Sequence, residues 1–337
     1  MRFAFTDDQK MLRDTVREVL QRECPPDVVR AVWNGDVKPA EAVWATLAET
    51  GVIGMAANET AGGMAMTTLD SVLPFEEIGY AGLPGLVVDT VAVGIPLLEA
   101  IGTEAQRDRW AADVASGVAK IAVAFEGQTL VAHASDADLL IAEREGVGYC
   151  IPMSEVALME AQSVDRARRL RRVSFDPANS FRARPDADHR TAWVLAKERA
   201  TLATAAELAG LTRRMLDMSV QYAKDREQFG KPIGAQQAVK HRLADALIKQ
   251  EFARPLVYRA AWSMTEGADT AEIDVSLAKI YAGDAARFVA KQALQVHGAI
   301  GYTIEYDLHM WMKRAWALAA SHGDSTHHRE RVGRHVL

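Results

Sequence analysis

Residues 222–245 read YAKDREQFGKPIGAQQAVKHRLAD, and this stretch has the most specific residue pattern in the chain. A helical pattern leads into a short turn at residues 231–234, and a second helical pattern begins at about Gln236. Arg226 and Gln237 therefore stand on either side of a tight turn between two helices. Because a guanidinium fork and an amide can both reach one polyanionic ligand, the stretch predicts a ligand-binding site.

The composition is that of a globular protein with a sizeable core. The 337 residues are 49% hydrophobic and 25% charged, and 39 basic against 45 acidic side chains give a net charge of −6. This balance lacks the basic surface that nucleic-acid binding usually requires, so no nucleic-acid partner is expected. Cys24 and Cys150 lie far apart without a C-x-x-C pattern, so neither a disulfide framework nor a zinc site is expected.

The N-terminal sequence, MRFAFTDDQKMLRD, turns polar after five residues, which is unlike a secretory signal or a membrane anchor. Elsewhere no window approaches the roughly 18 to 20 apolar residues that span a bilayer. We therefore expect a cytoplasmic location and no membrane partner.

Residues 1–118 carry helical patterns that are separated by proline and glycine. Thr6 and Gln9 have the spacing of a capping box, and the helix that they begin is expected to end at Pro25-Pro26. Another helix start is expected at Thr103. Further helical patterns cover residues 40–49, 69–79 and 87–100. These patterns predict an all-helical N-terminal domain.

Residues 119–190 change character and predict a small, shortened β-domain of about four to six strands. The β-tolerant runs, separated by Gly, Asp, Ser and Pro, are KIAVAF (120–125), DLLIAE (138–143), GYCIPM (148–153), EVALME (155–160) and RRVSF (171–175).

An arginine run at positions 166, 168, 169, 171 and 172 is the one charge cluster of this domain. It has two interpretations. The run binds an anionic ligand or partner, or it is the solvated face of an edge strand whose charges prevent pairing with another sheet. The second interpretation is favoured because edge strands commonly carry such charges.

Residues 191–337 predict long antiparallel helices with short connections, a four-helix-bundle-like arrangement. The helical patterns cover residues 194–222, residues 236–264 and a third piece that starts behind Asp269 and ends at His297. Pro255 predicts a kink or a break at Arg254 in the second of these helices.

A second motif, residues 295–306, reads QVHGAIGYTIEY. Gly298 and Gly301 follow a helix, where they allow the backbone to approach a ligand and leave amides free to face phosphate oxygens.

These two motifs resemble the acyl-CoA dehydrogenase family. Residues 226–237 match R-x-Q-F-G-x-P-I-x-x-x-Q, and residues 295–306 are similar to Q-x-x-G-G-x-G-Y-x-x-E-Y, with Ala299 where the second glycine usually stands. The resemblance extends to F-x-F-T-D-D-Q-x-x-L-R from Phe3, to W-x-x-L-x-E-x-G-V-I-G at residues 44–54 and to F-E-E-I-G at residues 75–79. It implies a mainly α fold with a helical domain (1–118), a small central β-domain (119–190) and a helical bundle (191–337).

The resemblance also implies a reaction. In this family a carboxylate removes the α proton of an acyl-CoA thioester, hydride passes to FAD, and electron-transferring flavoprotein is the expected acceptor. By resemblance, the residues that contact the FAD of a neighbouring subunit are Arg226, Gln228, Phe229, Gln237, Gln295, Gly298 and Ala299.

The catalytic base departs from the family pattern. Most members carry a glutamate in a Y-E-G-T sequence, where this chain has His322 within Ser321–Asp324, and another branch places it where this chain has Ala200. His322, Glu207 and Glu198 are possible substitutes. Each also has a plain interpretation: His322 as a surface residue beside His327 and His328, Glu207 as a partly buried polar group, and Glu198 as a solvated helix charge. No metal site is expected from these histidines, because no carboxylate or cysteine set accompanies them.

The flavin cradle departs as well. Family members carry a T-E-x-x-A-G-S-D-like loop and a later W-I-T-N-like strand, whereas this chain has AFEGQ at residues 124–128 and no tryptophan between Trp110 and Trp193. The chain is therefore similar to the short subunit of heteromeric (α2β2) steroid-CoA-type enzymes, in which a longer homologue supplies the catalytic glutamate. The alternatives are a homomeric acyl-CoA dehydrogenase that uses His322 or Glu207, and a non-catalytic structural pseudoenzyme.

Overall fold

The computed structural model describes residues 4–336, so Phe3 of the N-terminal motif lies outside the described residues. The chain is mainly helical, as predicted. The α-helices of the described residues are α1 (Asp7–Glu23), α2 (Pro26–Trp33), α3 (Lys38–Glu49), α4 (Thr68–Ala81), α5 (Ile95–Ile101), α6 (Glu104–Ala115), α7 (His189–Asp225), α8 (Gln237–Thr265), α9 (Ala271–His297), α10 (Leu308–Ala320) and α11 (Ser325–Val336).

Both predicted helix starts are capping boxes. Thr6 pairs with Gln9 at the start of α1, and Thr103 pairs with Gln106 at the start of α6, each with both reciprocal hydrogen bonds. One expectation was incomplete. The proline pair ends α1, but Pro26 also begins α2, because proline lacks only an N–H that the first turn of a helix leaves unused.

Six strands form the β-domain, in two three-stranded sheets. They are β1 (Ile121–Ala124), β2 (Leu130–Val131), β3 (Leu139–Arg144), β4 (Val147–Pro152), β5 (Ala157–Glu160) and β6 (Arg171–Ser174). Each predicted run overlaps a strand, and the short strand β2 lies outside the predicted runs. The first sheet has the order β1-β3-β4, with β1 parallel to β3, and the second has the order β2-β6-β5.

The favoured interpretation of the arginine run is wrong. Strand β6 carries Arg171 and Arg172, and it pairs with β2 on one side and with β5 on the other, so it is the central strand of its sheet. Charges on a central strand cannot serve to block edge pairing. The order of strands depends on long-range pairing, which the local pattern does not encode.

The chain divides into two compact units. The first comprises Met1–Arg30, Val72–Leu83 and Thr201–Leu337, and the second comprises Ala31–Ser71 and Pro84–Ala200. The three domain ranges inferred from the sequence remain a prediction.

Two glycines set the packing of α4 against α7 in the first unit. A Cβ atom on Gly210 would lie 1.9 Å from the carbonyl oxygen of Glu76, and one on Gly79 would lie 2.1 Å from that of Glu207. Helix α8 runs through Pro255 without interruption, so a break at Arg254 does not occur, and the alternative of a kink there stays a prediction.

A hydrophobic cluster in the second unit joins strands β1, β3 and β4 to the surrounding helices. Its largest members include Leu98, Ile101, Ile121, Ile141 and Trp193. Among residues 4–336, no helix combines the length and the apolar character that crossing a bilayer requires.

Candidate functional site

The turn predicted after Tyr222 is a short β-hairpin between α7 and α8. Strand β7 (Glu227–Gln228) pairs antiparallel with β8 (Lys231–Pro232). Phe229 and Gly230 form the two-residue tip, with φ angles of 54° and 74°. Two consecutive positive φ angles match the twist of a hairpin and require glycine or a strained residue, so Phe229 is held in an unfavourable conformation at the tip. Its side chain is 93% exposed.

The second motif begins where α9 ends. Gly298 has φ 67° and ψ −144°, and a 3-10 turn follows at Gly298–Tyr302. No atom lies within 4 Å of the position that a Cβ of Gly298 would take, so the backbone there is open on that side. This geometry provides the close backbone approach that the sequence predicted.

An aromatic cluster joins the two motifs inside the first unit. Tyr222 stacks on His297 with ring centroids 4.4 Å apart, and Tyr306 lies 4.9 Å from His297. His297 Nδ1 lies 2.7 Å from the carbonyl oxygen of Ala293 and must donate to it, which leaves Nε2 to accept from the Tyr306 hydroxyl at 3.2 Å. Burial lowers the pKa of His297, so the ring is neutral at pH 7. The sequence motifs contain all three residues, but spacing alone did not indicate this contact.

The predicted cofactor residues on these segments face outward. The side chains of Arg226, Gln228, Phe229, Gln237 and Gln295 are exposed, as are Gly298 and Ala299. Across the part of the chain that the structure describes, the guanidinium of Arg226 and the three amides make no hydrogen bond or ion pair with the protein. One guanidinium and several amide donors are the chemistry that a pyrophosphate requires, so these residues fit FAD as a ligand.

The position that carries the glutamate in most family members is part of a tightly held turn. His322 is half-buried with φ 53°, and its carbonyl oxygen accepts from Nε2 of the buried His328 at 3.0 Å. Nζ of the buried Lys279 donates to the carbonyl oxygens of Ala319 at 3.1 Å and Gly323 at 2.8 Å. Burial lowers the pKa of Lys279 to about 8 and that of His328 to about 4. His328 is therefore neutral and structural, and the half-buried His322 keeps both of its interpretations.

The alternative carboxylates differ from one another. Glu207 is half-buried, as expected, whereas Glu198 is buried, so its interpretation as a solvated charge is wrong. Ala200, the other base position of the family, is buried.

Two further glutamates, Glu76 and Glu77 of the F-E-E-I-G motif, are buried and paired. Glu77 accepts from Arg17 at 2.8 Å and from Arg213 at 2.7 Å, and Glu76 accepts from the Tyr258 hydroxyl at 2.5 Å. Burial acts to raise the pKa of Glu77, but hydrogen bonds and charge from Arg17 and Arg213 outweigh it and lower the pKa. A base for proton abstraction beside a thioester needs a raised pKa, so Glu77 does not meet this requirement.

The loop at residues 124–128, which stands where family members carry the flavin cradle, packs onto its own chain. Phe125 is 8% exposed and makes an edge-to-face contact with Trp193, with ring centroids 5.9 Å apart. Gln128 donates to the carbonyl oxygen of Leu130 at 3.0 Å, and Glu126 accepts from the Gly146 amide at 3.1 Å. The side chains of this loop are therefore used within the second unit. Nowhere in residues 4–336 do three or more His, Cys, Asp or Glu side chains come together as a metal ion would require.

Comparison with known proteins defines the class. Residues 6–118 match the protein family described as "Acyl-CoA dehydrogenase, N-terminal domain". Residues 189–337 match the family described as "Acyl-CoA dehydrogenase, C-terminal domain". The chain therefore belongs to the acyl-CoA dehydrogenase family. Neither match covers residues 119–188, which contain strands β1 to β6.

Among its relatives is acyl-CoA dehydrogenase IpdE2 of Mycolicibacterium smegmatis, 30% identical over 312 residues that cover 92% of this chain and 93% of the relative. The protein of the same name from Mycobacterium tuberculosis is 29% identical over 310 residues, covering 92% and 91%. A chain in the crystal structure of the ChsE4-ChsE5 complex from Mycobacterium tuberculosis shares the fold with a TM-score of 0.89, at 24% identity and with coverage of 100% and 99%.

Proposed function

We propose that this chain is one subunit of a heteromeric, FAD-dependent acyl-CoA dehydrogenase. In this proposal a longer homologue supplies the catalytic glutamate and the β-domain loop, and this chain completes its FAD site. The observation that carries the proposal is the contrast between exposed, unbonded donors around Arg226 and a cradle loop closed by Phe125 and Trp193.

Arg226, Gln228, Gln237 and Gln295 would hold the cofactor, with Phe229 and the open backbone at Gly298 and Ala299 beside it. FAD, when bound, accepts hydride from the acyl chain. The guanidinium of Arg226 is suited to bind the pyrophosphate with two parallel hydrogen bonds, and the amides to orient it. The cluster of Tyr222, His297 and Tyr306 keeps the two motifs in place, so it acts on the cofactor only through the position of these donors.

The reaction class, α,β-dehydrogenation of an acyl-CoA thioester, is supported by membership of the family. The heteromeric arrangement is supported by the vacated base positions, Ala200 and His322, and by a fold shared with a chain of a two-component complex. A steroid-derived CoA ester as substrate and electron-transferring flavoprotein as acceptor follow from the resemblance of the motifs.

The test compares the chain alone with the chain co-expressed with a longer acyl-CoA dehydrogenase homologue. The flavin absorbance of each purified sample and the acyl-CoA-dependent reduction of an artificial electron acceptor are measured. We expect both signals only from the pair. Bound FAD together with turnover by the lone chain would refute the heteromer and favour the homomeric enzyme, and flavin in neither sample would favour a structural protein.

In the working pair, Arg226→Ala is expected to weaken flavin binding at least about tenfold, because hydrogen bonds to charged groups contribute about 1.5–3 kcal/mol. The matched control is Lys224→Ala, which removes an exposed cation two residues away and should leave flavin in place. Turnover should persist in His322→Ala. A pair that keeps its flavin after loss of Arg226 would remove this residue from the site.

A further inference from the structure

A cavity of about 560 Å³ lies in the second unit, at the end of α2 and beside the segment that precedes β6. It is lined by residues 32–35, 160–163, 166 and 169–171. The lining includes three arginines, Arg166, Arg169 and Arg171, against one glutamate, Glu160. The cavity therefore has an excess of two positive charges in a protein whose net charge is −6.

Backbone hydrogen bonds fix the wall that carries these arginines. The carboxylate of the buried Asp165 accepts from the Ala167 amide at 3.1 Å. The carbonyl oxygen of Arg168 accepts from the His133 amide at 3.0 Å, and that of Leu170 accepts from the Ala161 amide at 3.0 Å. The arginine segment is therefore an ordered part of the second unit rather than a loose loop.

The three guanidinium groups differ in how far they are neutralised. Arg169 forms an ion pair with Asp136, whose pKa burial would raise but which His133 and Arg169 together lower. Arg171 donates from one Nη to the carbonyl oxygen of Leu170 at 3.3 Å. The same nitrogen lies 3.8 Å from Glu160, whose side chain is largely exposed, and such exposed pairs are weak. Within residues 4–336, the side chain of Arg166 makes no hydrogen bond or ion pair. The guanidinium of Arg166 is therefore available to an anion, and that of Arg171 is available in part.

Arg171 and Arg172, the last two arginines of the run, are neighbours on strand β6 and point to opposite faces of its sheet. Successive side chains of a strand point to opposite faces, and Arg172 accordingly does not line the cavity, whereas Arg171 does. Arg172 instead donates to the Thr129 hydroxyl at 3.0 Å. The two neighbours carry the same charge on the same strand, so they form a matched pair for an experiment.

We propose that this cavity binds a small organic phosphate of the nucleoside diphosphate class. Arginine forks recognise phosphate oxygens through paired hydrogen bonds. The fork of Arg166 is available for this contact, and Arg171 has one Nη engaged with the Leu170 carbonyl oxygen. The volume falls within the roughly 300–1,000 Å³ of organic ligand sites, which is far more than an inorganic ion fills. Val32 and Trp33 contribute an apolar wall for the organic part of the ligand.

The test is calorimetric titration of the full chain with ADP, with adenosine and with inorganic phosphate. We expect ADP to bind, adenosine not to bind, and phosphate to displace ADP only at much higher concentration. Arg166→Gln should weaken ADP binding about tenfold or more, since it removes a charged hydrogen-bond donor. Arg172→Gln should change it by about twofold at most, as an exposed charge outside the cavity does. Circular dichroism checks that both variants fold.

Competition with CoA shows whether the cavity binds a free nucleotide or the nucleotide end of CoA. Displacement of ADP by CoA indicates that the cavity takes the nucleotide end of CoA, and no displacement indicates a free nucleotide. The proposal is overturned if adenosine binds as tightly as ADP, if phosphate displaces ADP at equal concentration, or if the two arginine variants behave alike. It is equally overturned if ADP at millimolar concentration gives no binding signal. The isolated chain is used, so the result does not depend on the partner subunit. The two arginine variants separate this cavity from the pyrophosphate donors around Arg226, because only binding in the cavity responds to Arg166→Gln.

Discussion

Two phenylalanine residues of this chain lie in opposite environments. Phe229 is 93% exposed at the tip of a hairpin in the first unit, and Phe125 is 8% exposed against Trp193 in the second. Burying such a side chain contributes about 1.5–3 kcal/mol, so an exposed one in a strained turn has no stabilising role in the isolated chain. The exposed Phe229 is what the proposed function requires of the hairpin, whereas Phe125 belongs to the hydrophobic core of the second unit.

The surroundings of the two residues extend the contrast. Helix α8, which follows the hairpin, also exposes large apolar side chains, at Leu247, Ile248 and Phe252. Apolar groups that accompany unbonded polar donors are typical of a surface that binds a partner. The loop around Phe125 instead satisfies its polar groups internally, through Glu126 and Gln128.

The largest expected effect on stability comes from disrupting the packing of Phe125 against Trp193. Trp193→Ala removes a fully buried indole, and substitutions of this kind reduce the free energy of unfolding by about 3–5 kcal/mol. Urea unfolding of the isolated chain measures the change. If the variant loses less than about 1 kcal/mol, the region is not packed as tightly as the comparison requires.

Trp193→Phe provides the matched control. The indole Nε1 is buried and has no hydrogen-bond partner among residues 4–336, so its removal leaves no acceptor unsatisfied. An aromatic ring still faces Phe125. We therefore expect the phenylalanine variant to lose less than half of what the alanine variant loses.

A smaller effect on stability is expected from the aromatic cluster of Tyr222, His297 and Tyr306, which joins the two motifs. His297→Gln removes the stack with Tyr222 and weakens the contact with Tyr306, which should reduce the free energy of unfolding by about 1–2 kcal/mol at pH 7. The folded-state pKa of His297 lies below its ordinary value, so the unfolded chain binds a proton that the folded chain does not. Stability that His297 confers is therefore lost as the pH falls below about 6.5.

Urea unfolding midpoints measured at pH 7, 6 and 5 test whether the stability that His297 confers is lost on acidification. The difference between the wild type and His297→Gln should shrink on acidification, because glutamine does not titrate. A gap for His297→Gln that widens as the pH falls would contradict a neutral, buried His297.

Much of the fold follows from local sequence. The capping boxes at Thr6 and Thr103 and each of the five β-tolerant runs depend on neighbouring residues, and these predictions are confirmed. Properties that depend on distant residues were not available from pattern. Strand β6 is central because of its pairing with β2 and β5, and the burial of Glu198 depends on tertiary packing.

The candidate site likewise has local features that the sequence predicts and nonlocal contacts that it does not. The motifs singled out the residues around Arg226 and Gly298 from their spacing, and the structure brings these two segments together through Tyr222 and His297. The contact between Tyr222 and His297 is nonlocal, because the whole of α8 and nearly all of α9 separate the two residues in the sequence. It could therefore be found only from the structure. The cavity beside Arg166 was likewise hidden, because its wall combines residues from α2 and from the approach to β6.

The smallest expected effect is the most direct test of the opening comparison. Phe229→Ala should change the free energy of unfolding of the isolated chain by no more than about 0.5 kcal/mol, whereas Phe125→Ala should reduce it by about 3–5 kcal/mol. In the complete assembly the order should reverse for flavin retention, with Phe229→Ala the variant that loses FAD while remaining folded. Equal losses of stability for the two isolated variants would mean that Phe229 is already packed in the lone chain, as it would be against a second copy, and the hairpin would then be no vacant contact for a different subunit.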